Sequence, residues 1–426
     1  MKIADLHTLF LECNSVSTDT RNIKKGDMFF ALQGNNFNGN IYAEKALKKG
    51  AKYTIIDQVE FKTSSKTILV DNVLKALQEL SSYHRAFLKT TIIAITGSNG
   101  KTTTKELINN VLSKKFSTTA TIGNLNNHIG VPLTLLSMTT NTEIGIVEMG
   151  ANHQKEIEFL CSIAKPDYGY ITNFGKAHLE GFGGIKGVIK GKSEMYNHLI
   201  YEQKYIFVNS NDSIQIEKTK HAKMFSFGNN SNESDVSVVF LEAQPFVKCK
   251  FNDLVIESKL IGDYNFNNIA AAIAIGQFFK VKYLDIKKGI ENYIPSNNRS
   301  QIINKKSNKI ILDAYNANPS SMHGALLNFE KQPGFKIAIL GDMFELGNEA
   351  KKEHQIITDL ALSLHINKVV LIGENFNKSE TNSDEIIQFE SFNTFKEGFN
   401  LSRIKNASIL IKGSRGMALE RVIDLI

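Results

Sequence analysis

The clearest pattern along the chain is the alternation of short apolar runs with amphipathic stretches after about residue 297. The apolar runs predict strands at 310–313, 336–341, 368–372 and 408–412, and helical spacing predicts helices near 320–330, 348–364 and 415–425. Strands that alternate with helices in this way predict a parallel sheet with helices on both faces. We therefore expect a Rossmann-like domain over residues 297–426.

The middle of the chain shows a similar pattern. It begins with the β-branched run TIIAIT at 91–96, which is typical of a buried parallel strand. Further predicted elements are strands at 144–148, 168–172 and 205–209, and an Ala-rich helix at 267–279. The segment PSNNRS at 295–300 is a predicted hinge. We expect a second domain with a mostly parallel sheet over residues 89–296.

The first 88 residues carry shorter apolar runs. Predicted strands at 28–31, 53–56 and 67–70 precede a helix from about 71 to 87, for which Asp71 is the expected N-cap. These elements predict a small α/β domain over residues 1–88. The chain of 426 residues is thus predicted to be an α/β protein of three domains.

Composition narrows the possible classes of function. The chain has 50 Lys and Arg against 43 Asp and Glu, but the charges are interspersed, which argues against a nucleic-acid-binding face. Its three cysteines are far apart, which argues against a disulfide framework and a zinc site. We find no signal peptide and no apolar run of membrane-spanning length. A cytoplasmic protein without a membrane span is expected.

A loop directly after the strand at 91–96 gives the first chemical signal, because residues 96–104 read TGSNGKTTT. Gly97 and Gly100 allow the backbone to curl around phosphate groups, Lys101 adds a cation, and the Thr102 hydroxyl can bind Mg²⁺. The loop is shortened, since Ile95 stands where the commoner motif has its first glycine. We expect ATP phosphates to contact Gly97, Ser98, Asn99, Gly100, Lys101, Thr102 and Thr103.

Three further side chains are candidates for a metal site beside this loop. Glu148 ends the strand at 144–148, and carboxylates at the carboxyl ends of parallel strands lie near the P-loop, where they can bind Mg²⁺. His178 lies in the glycine-rich segment TNFGKAHLEGFGG, which implies close approach to a ligand, although a structural or exposed histidine is the alternative. From the residues alone, Lys192 is best interpreted as a surface lysine.

Polar residues also follow strands of the third domain. Asp313 and Asn316 follow the strand at 310–313, GDMFELG follows the next, and KGSRG follows the last. Open α/β sheets bind ligands at these carboxyl ends, so we expect the three segments to converge on one site. Asn265 and Asn268 lie one helical turn apart and could pair with an adenine edge or cap the helix.

Taken in order, the motifs resemble those of the Mur ligases, the ATP-dependent peptide-adding enzymes of peptidoglycan synthesis. The resemblance runs from about Ser17 to Met417. It rests on TGSNGKTTT at 96–104, NLNNHIGVP at 124–132, EMG at 148–150, NFGKAHLEGFGG at 173–184, GDYNFNN at 262–268, DAYNANPSSM at 313–322, GDMFELG at 341–347 and KGSRGM at 412–417. Two departures are Tyr264, where many relatives have His, and Asn38-Gly-Asn40, where Asp-Gly-His is commoner.

Within this family, the block at 313–322 followed by GDMFELG resembles the member that adds D-alanyl-D-alanine to UDP-N-acetylmuramoyl-tripeptide. The member that adds the third peptide residue typically has a His in the first block and a DNPR-like motif further on, and folylpolyglutamate synthases typically read DGAHNP; this chain has neither. The resemblance implies ligation through an acyl phosphate. Two alternatives stay open: another amino-acid ligase of the family, such as one adding a diamino acid, or a non-ligating P-loop protein.

The resemblance also implies roles for individual residues. In Mur ligases the lysine at the place of Lys192 is carbamylated by CO₂ and helps hold a second Mg²⁺, so the implied catalytic residues are Lys101, Glu148, His178 and Lys192. Further implied ATP contacts are Asn268, Arg299, Asp313 and Asn316. Implied contacts with the UDP-sugar peptide are Thr20, Arg21, Gly34, Asn126, Asn127, Ser414 and Arg415. The first domain is expected to bind UDP, and the protein is expected to be a monomer.

Overall fold

The structure, a computed structural model, describes residues 1–229 and 234–426. The three main sheets follow one another along the chain, and each is built from the strands of one continuous stretch. The predicted three-domain α/β fold is confirmed. We retain the boundaries after residues 88 and 296 as a proposal, since no sheet crosses either of them.

The first domain has a four-stranded parallel sheet in the order β1-β2-β5-β6, beside the antiparallel pair β3-β4. Its strands are β1 (Val16–Ser17), β2 (Met28–Phe30), β3 (Gln33–Gly34), β4 (Phe37–Asn38), β5 (Tyr53–Ile56) and β6 (Thr67–Leu69). Its helices are α1 (Ile3–Leu11), α2 (Ala43–Lys48) and α3 (Val73–Leu88).

Helix α3 begins slightly later than expected. Asn72, and not Asp71, is its N-cap, because the extended backbone of Asn72 lets the side chain accept a hydrogen bond from the Lys75 N–H. Leu77 and Leu80 of this helix pack into the core of the first domain. The helix is thereby fixed against the sheet on one side, while Gln78 reaches the backbone of His128 in the second domain.

The central domain is built on a sheet in the order β15-β14-β13-β12-β11-β10-β7-β9-β8, parallel except for the hairpin strands β13–β15. Its strands are β7 (Thr91–Thr96), β8 (Thr118–Ala120), β9 (Ile144–Glu148), β10 (Tyr168–Ile171), β11 (Tyr205–Asn209), β12 (Lys223–Gly228), β13 (Val236–Glu242), β14 (Lys248–Phe251) and β15 (Leu254–Glu257). Its helices are α4 (Lys101–Leu112), α5 (Gly130–Leu136), α6 (Glu156–Ala164), α7 (Leu179–Phe182), α8 (Ile185–Tyr201), α9 (Ser213–Lys218), α10 (Phe266–Phe278) and α11 (Tyr283–Glu291).

Strand β7 lies between β9 and β10, and this order positions the site. Ile95 pairs with Glu148, and Thr96 pairs with Ile171, so the three strands end side by side. The sheet of the third domain has the order β16-β17-β21-β18-β19-β20, and in its interior Asp313 pairs with Lys412. Carboxyl ends of parallel strands therefore supply both halves of the site.

The third domain is parallel except for its first strand. Its strands are β16 (Gln301–Lys305), β17 (Asn308–Asp313), β18 (Phe335–Gly341), β19 (Lys368–Ile372), β20 (Ile386–Phe389) and β21 (Ala407–Lys412), and its helices are α12 (Pro319–Glu330), α13 (Ala350–Ser363) and α14 (Phe392–Gly398). The helix predicted at 415–425 is wrong, because the segment forms two 3₁₀ turns, Arg415–Met417 and Leu419–Leu425. They are separated by Ala418, whose left-handed φ of 48° interrupts a helix.

Helix α12 is attached to the central domain at both of its ends. At its N-cap, the Asn318 amide donates to the Asn99 side chain of the P-loop (2.8 Å) and accepts from it in return (3.4 Å). Near its last turn, Asn328 accepts a hydrogen bond from Gln244 (3.1 Å), which follows β13. The helix therefore contacts the central domain both at its start and near its end.

None of the helices in the described part of the chain has the length and apolarity needed to cross a membrane.

Candidate active site

The P-loop connects β7 to α4 and contains two positions that require glycine. Gly97 has a φ of 144°, and a Cβ at this position would lie 1.9 Å from Thr172 Oγ1. Gly100 has a φ of 80° and immediately precedes the first residue of α4. The loop thus turns tightly around the N-terminus of a helix, an arrangement that binds phosphate through backbone N–H groups.

Lys101 folds back over this loop. Its Nζ donates to the carbonyl oxygens of Gly97 (2.7 Å) and Ser98 (3.3 Å), and its side chain lines the adjoining cavity. Desolvation lowers the pKa of Lys101 to about 8, and repulsion from Arg299 adds to this effect, while attraction to Glu148 opposes it. An anion bound in the loop would compete with the two carbonyl oxygens for the ammonium group.

Thr102 and Glu148 meet next to the P-loop, as the positions of their strand and helix predict. The Thr102 hydroxyl donates to Glu148 Oε2 at 2.9 Å, and the carboxylate is 1% exposed. Asn126 donates to the second oxygen, Oε1, at 2.8 Å. Asn126, expected to contact the peptide, therefore also orients the candidate metal ligand Glu148.

Asn99, the third residue of the loop, is held by Thr172 and Asn173, which directly follow β10. Neither residue was identified as a site residue from the sequence. The Asn99 N–H donates to the Asn173 side chain (3.1 Å), and the Asn99 carbonyl accepts from the Thr172 hydroxyl (2.5 Å). The available signal was their position directly after a strand that neighbours the P-loop strand. These bonds fix the loop backbone that would contact phosphate.

Asn265 and Asn268 form a hydrogen-bonded pair between helices. Asn268 Nδ2 donates to Asn265 Oδ1 (2.9 Å), while Asn268 Oδ1 accepts from the Thr104 hydroxyl on α4 (2.9 Å). Asn265 occupies the N-cap position of α10, but its side chain donates to the Ile261 carbonyl and makes no cap hydrogen bond. The pair therefore connects α10 to the P-loop helix, and both residues line the cavity.

A cavity of about 990 Å³ separates the P-loop from the third domain. Its wall on the central domain includes the P-loop, Asn127, Glu148 and His178, and its wall on the third domain includes Arg299 and Asp313. A volume of this size accommodates a nucleotide together with part of a second ligand. The residues expected to contact ATP from the second and third domains, Asn268, Arg299, Asp313 and Asn316, all line it.

On the third-domain side, charged groups are organised around the end of β17. Asp313 accepts hydrogen bonds from the Ser300 N–H (3.1 Å) and from Lys412 Nζ (2.5 Å), which also contacts the Asn316 carbonyl (3.3 Å). The Arg299 guanidinium stacks 3.7 Å from the centre of the Tyr315 ring, and its buried Nε has no hydrogen-bond partner. Lys412 was not identified as a site residue, although it ends the strand beside Asp313.

His178 lies at the boundary between the two domains. It is the N-cap of α7, with a left-handed φ of 52°, and its Nδ1 contacts Glu345 Oε2 of the GDMFELG segment. The His178 ring holds the pKa of Glu345 below its ordinary value. Nearby, Lys176 Nζ forms an ion pair with Glu353 at 2.5 Å. His178 thus lines the cavity while its Nδ1 contacts the third domain.

Lys192 is completely buried, so its interpretation as a surface lysine is wrong. Its Nζ has no hydrogen-bond partner and lies 5.2 Å from the centre of the Phe182 ring. Gly187 and Gly191 on the same helix are needed because a Cβ at either position would collide with Phe182. Desolvation and repulsion from Lys101 hold the pKa of Lys192 well below its ordinary value. A neutral amine in such a place fits the requirement for reaction with CO₂.

The donor groups at the cavity also fit magnesium. The described residues contain no group of three or more His, Cys, Asp or Glu side chains placed to hold a metal ion. Glu148 and the Thr102 hydroxyl provide hard oxygen donors in direct contact, and His178 lines the same cavity. A magnesium ion retains several water ligands and needs few protein ligands, so this small set is sufficient.

Several expected substrate contacts lie elsewhere. Of the described residues, those that line the cavity do not include Thr20, Arg21, Gly34, Ser414 or Arg415. Arg21 is exposed and pairs with Asp19 at 2.7 Å, and Arg415 pairs with Glu420 at 2.9 Å. The structure thus brings the ATP candidates together but leaves these residues apart from them.

Three family models match the sequence and together cover most of it. They are described as "Mur ligase family, catalytic domain" (residues 12–85), "Mur ligase middle domain" (residues 95–276) and "Mur ligase, glutamate ligase domain" (residues 298–415). The three matched regions follow the same order along the chain as the three main sheets.

Characterised relatives are similar over nearly the whole chain. The chain is 32% identical to UDP-N-acetylmuramoyl-tripeptide–D-alanyl-D-alanine ligase from Bacillus subtilis, over 97% of this chain and 93% of the relative. Its structure resembles a crystal structure of MurF from Acinetobacter baumannii, with a TM-score of 0.87, 29% identity, and coverage of 99% and 98%. It also resembles MurF ligase from Thermotoga maritima in complex with ADP, with a TM-score of 0.82, 26% identity, and coverage of 98% and 97%.

Proposed function

The chain belongs to the Mur ligase family, and from this we propose that it is an ATP-dependent ligase joining D-alanyl-D-alanine to UDP-N-acetylmuramoyl-tripeptide. This would be the last peptide-adding step of peptidoglycan precursor synthesis in the cytoplasm. Similarity to relatives of that activity extends over 97% of the chain. No feature of the described chain requires a nucleic acid or a membrane as partner, and we propose a monomer.

The observation that carries this proposal is the single cavity between the P-loop and the carboxyl ends of the third-domain strands. A protein that only bound ATP would need the loop and a base pocket. Here the cavity continues past the loop along Asn126, Asn127 and Glu148, which leaves room for a second ligand near the ATP γ-phosphate. Such a cavity allows a substrate carboxylate to approach the phosphate group.

Residues of both domains would hold ATP. Backbone N–H groups from Gly97 to Thr103 would bind the phosphates, with the Lys101 ammonium against the β- and γ-phosphates. Asn268 would contact the base, and Asp313 with Asn316 would hold the nucleotide from the third domain. Because these groups belong to two domains, ATP would favour the docked arrangement over an open one.

Magnesium and a carbamate on Lys192 complete the proposed site. Thr102, Glu148, His178 and the modified Lys192 would hold two Mg²⁺ ions, which neutralise charge on the transferring phosphoryl group when bound. The buried, unpartnered amine of Lys192 supports the modification, since an anionic carbamate would give this nitrogen the polar interactions that it lacks. Asn126 would keep the Glu148 carboxylate oriented.

The proposed reaction has two steps. The terminal carboxylate of the tripeptide attacks the γ-phosphorus of ATP, which yields an acyl phosphate and ADP. The free amine of D-alanyl-D-alanine then attacks the acyl carbon, and phosphate leaves. Lys101 stabilises the charge that develops on the phosphoryl oxygens. Water would hydrolyse the acyl phosphate, so the docked third domain serves to exclude it.

The other substrate contacts remain proposals. Thr20, Arg21 and Gly34 would bind the UDP portion from the first domain, and Ser414 with Arg415 would contact the peptide. All of these lie outside the cavity, so the precursor would have to extend from the first domain to the P-loop. The length of a UDP-sugar peptide suits such an extended site.

Phosphate release tests the proposal. Purified protein is supplied with ATP and Mg²⁺. In separate reactions it receives UDP-N-acetylmuramoyl-tripeptide with D-alanyl-D-alanine, or the corresponding dipeptide precursor with lysine or diaminopimelate. We expect release to depend on the nucleotide substrate and to be stimulated by D-alanyl-D-alanine, with ligated product seen by mass spectrometry. Stimulation by a single amino acid instead would favour another ligase of the family. Turnover that ignores the UDP-sugar peptide would favour a non-ligating P-loop protein.

A further inference from the structure

Glu345 contacts the central domain through both its side chain and its backbone. Its carboxylate contacts His178 Nδ1, and its carbonyl oxygen accepts a hydrogen bond from the Glu180 N–H at 3.2 Å. The two contacts fall on either side of the first residue of α7. One residue of the third domain therefore fixes both the start of this helix and the ring that precedes it.

The backbone around both partners is unusual. His178 has a φ of 52° and Glu345 a φ of 62°, so each occupies the left-handed region that residues other than glycine seldom adopt. Such conformations persist only where the surroundings hold them, and they concentrate at functional sites. Gly347 allows the segment to lie close to Glu180, because a Cβ there would be 3.2 Å from the Glu180 side chain.

The segment that carries Glu345 is itself rigidly supported. The Met343 N–H donates to buried His354 Nε2 (3.0 Å), and the Phe344 N–H donates to the Ser414 hydroxyl (2.9 Å). The preceding Asp342 carboxylate accepts hydrogen bonds from the backbone of residues 375 and 376. Three consecutive residues are thus anchored within the third domain, so Glu345 moves with that domain.

The chemistry of this contact determines which nitrogen of the His178 imidazole is available to a ligand. A carboxylate has only acceptor atoms, so Nδ1 carries the hydrogen of this contact, and a neutral ring then presents the lone pair of Nε2 to the other side. His178 lines the cavity that also contains Lys101 and Glu148. A carboxylate that binds the far nitrogen of a ligand histidine fixes its tautomer and its orientation.

We propose that Glu345 is a positioning residue for His178: it holds Nδ1 and so presents Nε2 to the cavity when the third domain is docked. The inference rests on the proposed ligase function. Docking of the domain would then complete the reactive site as well as cover it. The Asn99–Asn318 contact and the Lys176–Glu353 ion pair join the same two domains without touching His178.

The test compares Glu345→Ala and Glu345→Gln with Glu353→Gln, which removes a neighbouring interdomain ion pair and serves as the control. For Glu345→Ala we expect kcat to fall on the order of 10–100-fold while KM for ATP changes little, as is typical when the partner of a ligand histidine is removed. Glu345→Gln, whose amide oxygen can still accept from Nδ1, should recover part of the loss. Glu353→Gln keeps the shape of this buried side chain and leaves half-exposed Lys176 free to turn to solvent, so kcat should stay within about threefold.

A second measurement reads the ring directly. Nitrogen-15-labelled histidine reports which imidazole nitrogen carries hydrogen, and His178→Gln identifies the signal among the ten histidines. We expect the Nδ1-protonated form in the wild type and a mixture of tautomers in Glu345→Ala. An unchanged ring signal, an unchanged kcat, or an equal loss in Glu353→Gln would each overturn the proposal. Failure of the ligase function itself would appear separately, as absent activity in the wild type.

Discussion

Lys412 Nζ lies 2.5 Å from Asp313 Oδ2, at the register position where β21 and β17 end side by side. The lysine side chain is 2% exposed, and the same ammonium reaches the Asn316 carbonyl. One buried cation therefore holds Asp313 and Asn316, two of the third-domain residues that are expected to contact ATP.

Replacing this cation should weaken ATP binding. In Lys412→Met the Asp313 carboxylate loses its partner and the segment after β17 loses its anchor, so we expect KM for ATP to rise on the order of tenfold, about 1.4 kcal/mol. Lys412→Arg should retain more affinity, since it keeps the charge. Lys309→Met, on β17 but at the end opposite Asp313, is the control. An unchanged KM in Lys412→Met would refute the role.

Lys101→Ala should abolish turnover. The Lys101 ammonium contacts the Gly97 and Ser98 carbonyl oxygens of the phosphate-binding loop, and loss of one group that stabilises the transition state costs on the order of 10²–10³-fold in rate. Initial rates of phosphate release measure the effect. Lys114→Ala, an exposed change just after the same helix, should behave like the wild type. Retention of more than a tenth of the activity in Lys101→Ala would contradict the assignment.

The lowered pKa of Lys101 predicts a pH dependence for capture of ATP. In the free enzyme the ammonium form predominates below about pH 8 and is lost as pH rises through that value. Because the cation is needed, kcat/KM for ATP should fall above about pH 8, approaching tenfold per pH unit for a single titrating group. In Lys101→Arg, where the charge does not titrate, this alkaline limb should disappear from the profile. A wild-type profile that stays flat to pH 10 would exclude this cause.

Lys192→Ala should be inactive and should recover part of its activity with a small carboxylate such as acetate. The substitution leaves space beside Phe182, where the added carboxylate would supply the oxygen atoms of the proposed carbamate. Removal of dissolved CO₂ should lower wild-type activity and leave the rescued variant unaffected. Activity in Lys192→Ala equal to that of the wild type would refute the carbamate.

The buried pair His7 and His84 predicts that the protein loses stability in mild acid. His7 Nε2 and His84 Nδ1 lie 3.0 Å apart, and His84 Nε2 contacts the Met138 carbonyl. Desolvation lowers the pKa of both rings, and repulsion between them adds to this for His7. Below about pH 6.5 the unfolded chain binds protons that the folded chain does not, so unfolding becomes easier as pH falls.

Thermal unfolding between pH 7.5 and 5.5 measures this effect. The midpoint temperature should fall toward pH 5.5, and the fall should be smaller in His7→Phe, in which one titrating ring is replaced by an aromatic side chain of similar shape. Other histidines with lowered pKa, such as His198, contribute equally to both proteins. Identical pH dependence in the two proteins would show that the pair does not titrate during unfolding.

The parts of the site that the sequence predicted depend on local pattern. The run at 91–96, the glycines after it and the position of Glu148 at a strand end together predicted the contact with Thr102, which the structure places at 2.9 Å. The strand order was not needed for that prediction, because parallel strands bring their carboxyl ends to one edge regardless of order. Asp313 and Asn316, which line the cavity from the third domain, were predicted on the same grounds.

Such local patterns could not predict the contacts between domains. Asn99 and Asn318 are 219 positions apart, and His178 and Glu345 are 167 apart. Each is a single polar side chain on an irregular segment, and its partner depends on how two surfaces dock. Strands β12–β15 were also not predicted. In β13, Val239, Phe240 and Leu241 are all partly exposed, so this strand lacks the alternation of a half-buried strand.

The attachments at both ends of α12 restrict how the cleft can open. The helix has 12 residues and acts as a rigid rod about 18 Å long, with Asn318 secured at one end and Asn328 near the other. A helix held at both ends cannot swing away from the central domain until one of its attachments is released. Because ATP held by both domains would favour the docked arrangement, the attachment at the P-loop should be released once the nucleotide has left, with the Gln244 end as the pivot. The cleft would then open at the nucleotide and stay closed at the far end of the helix.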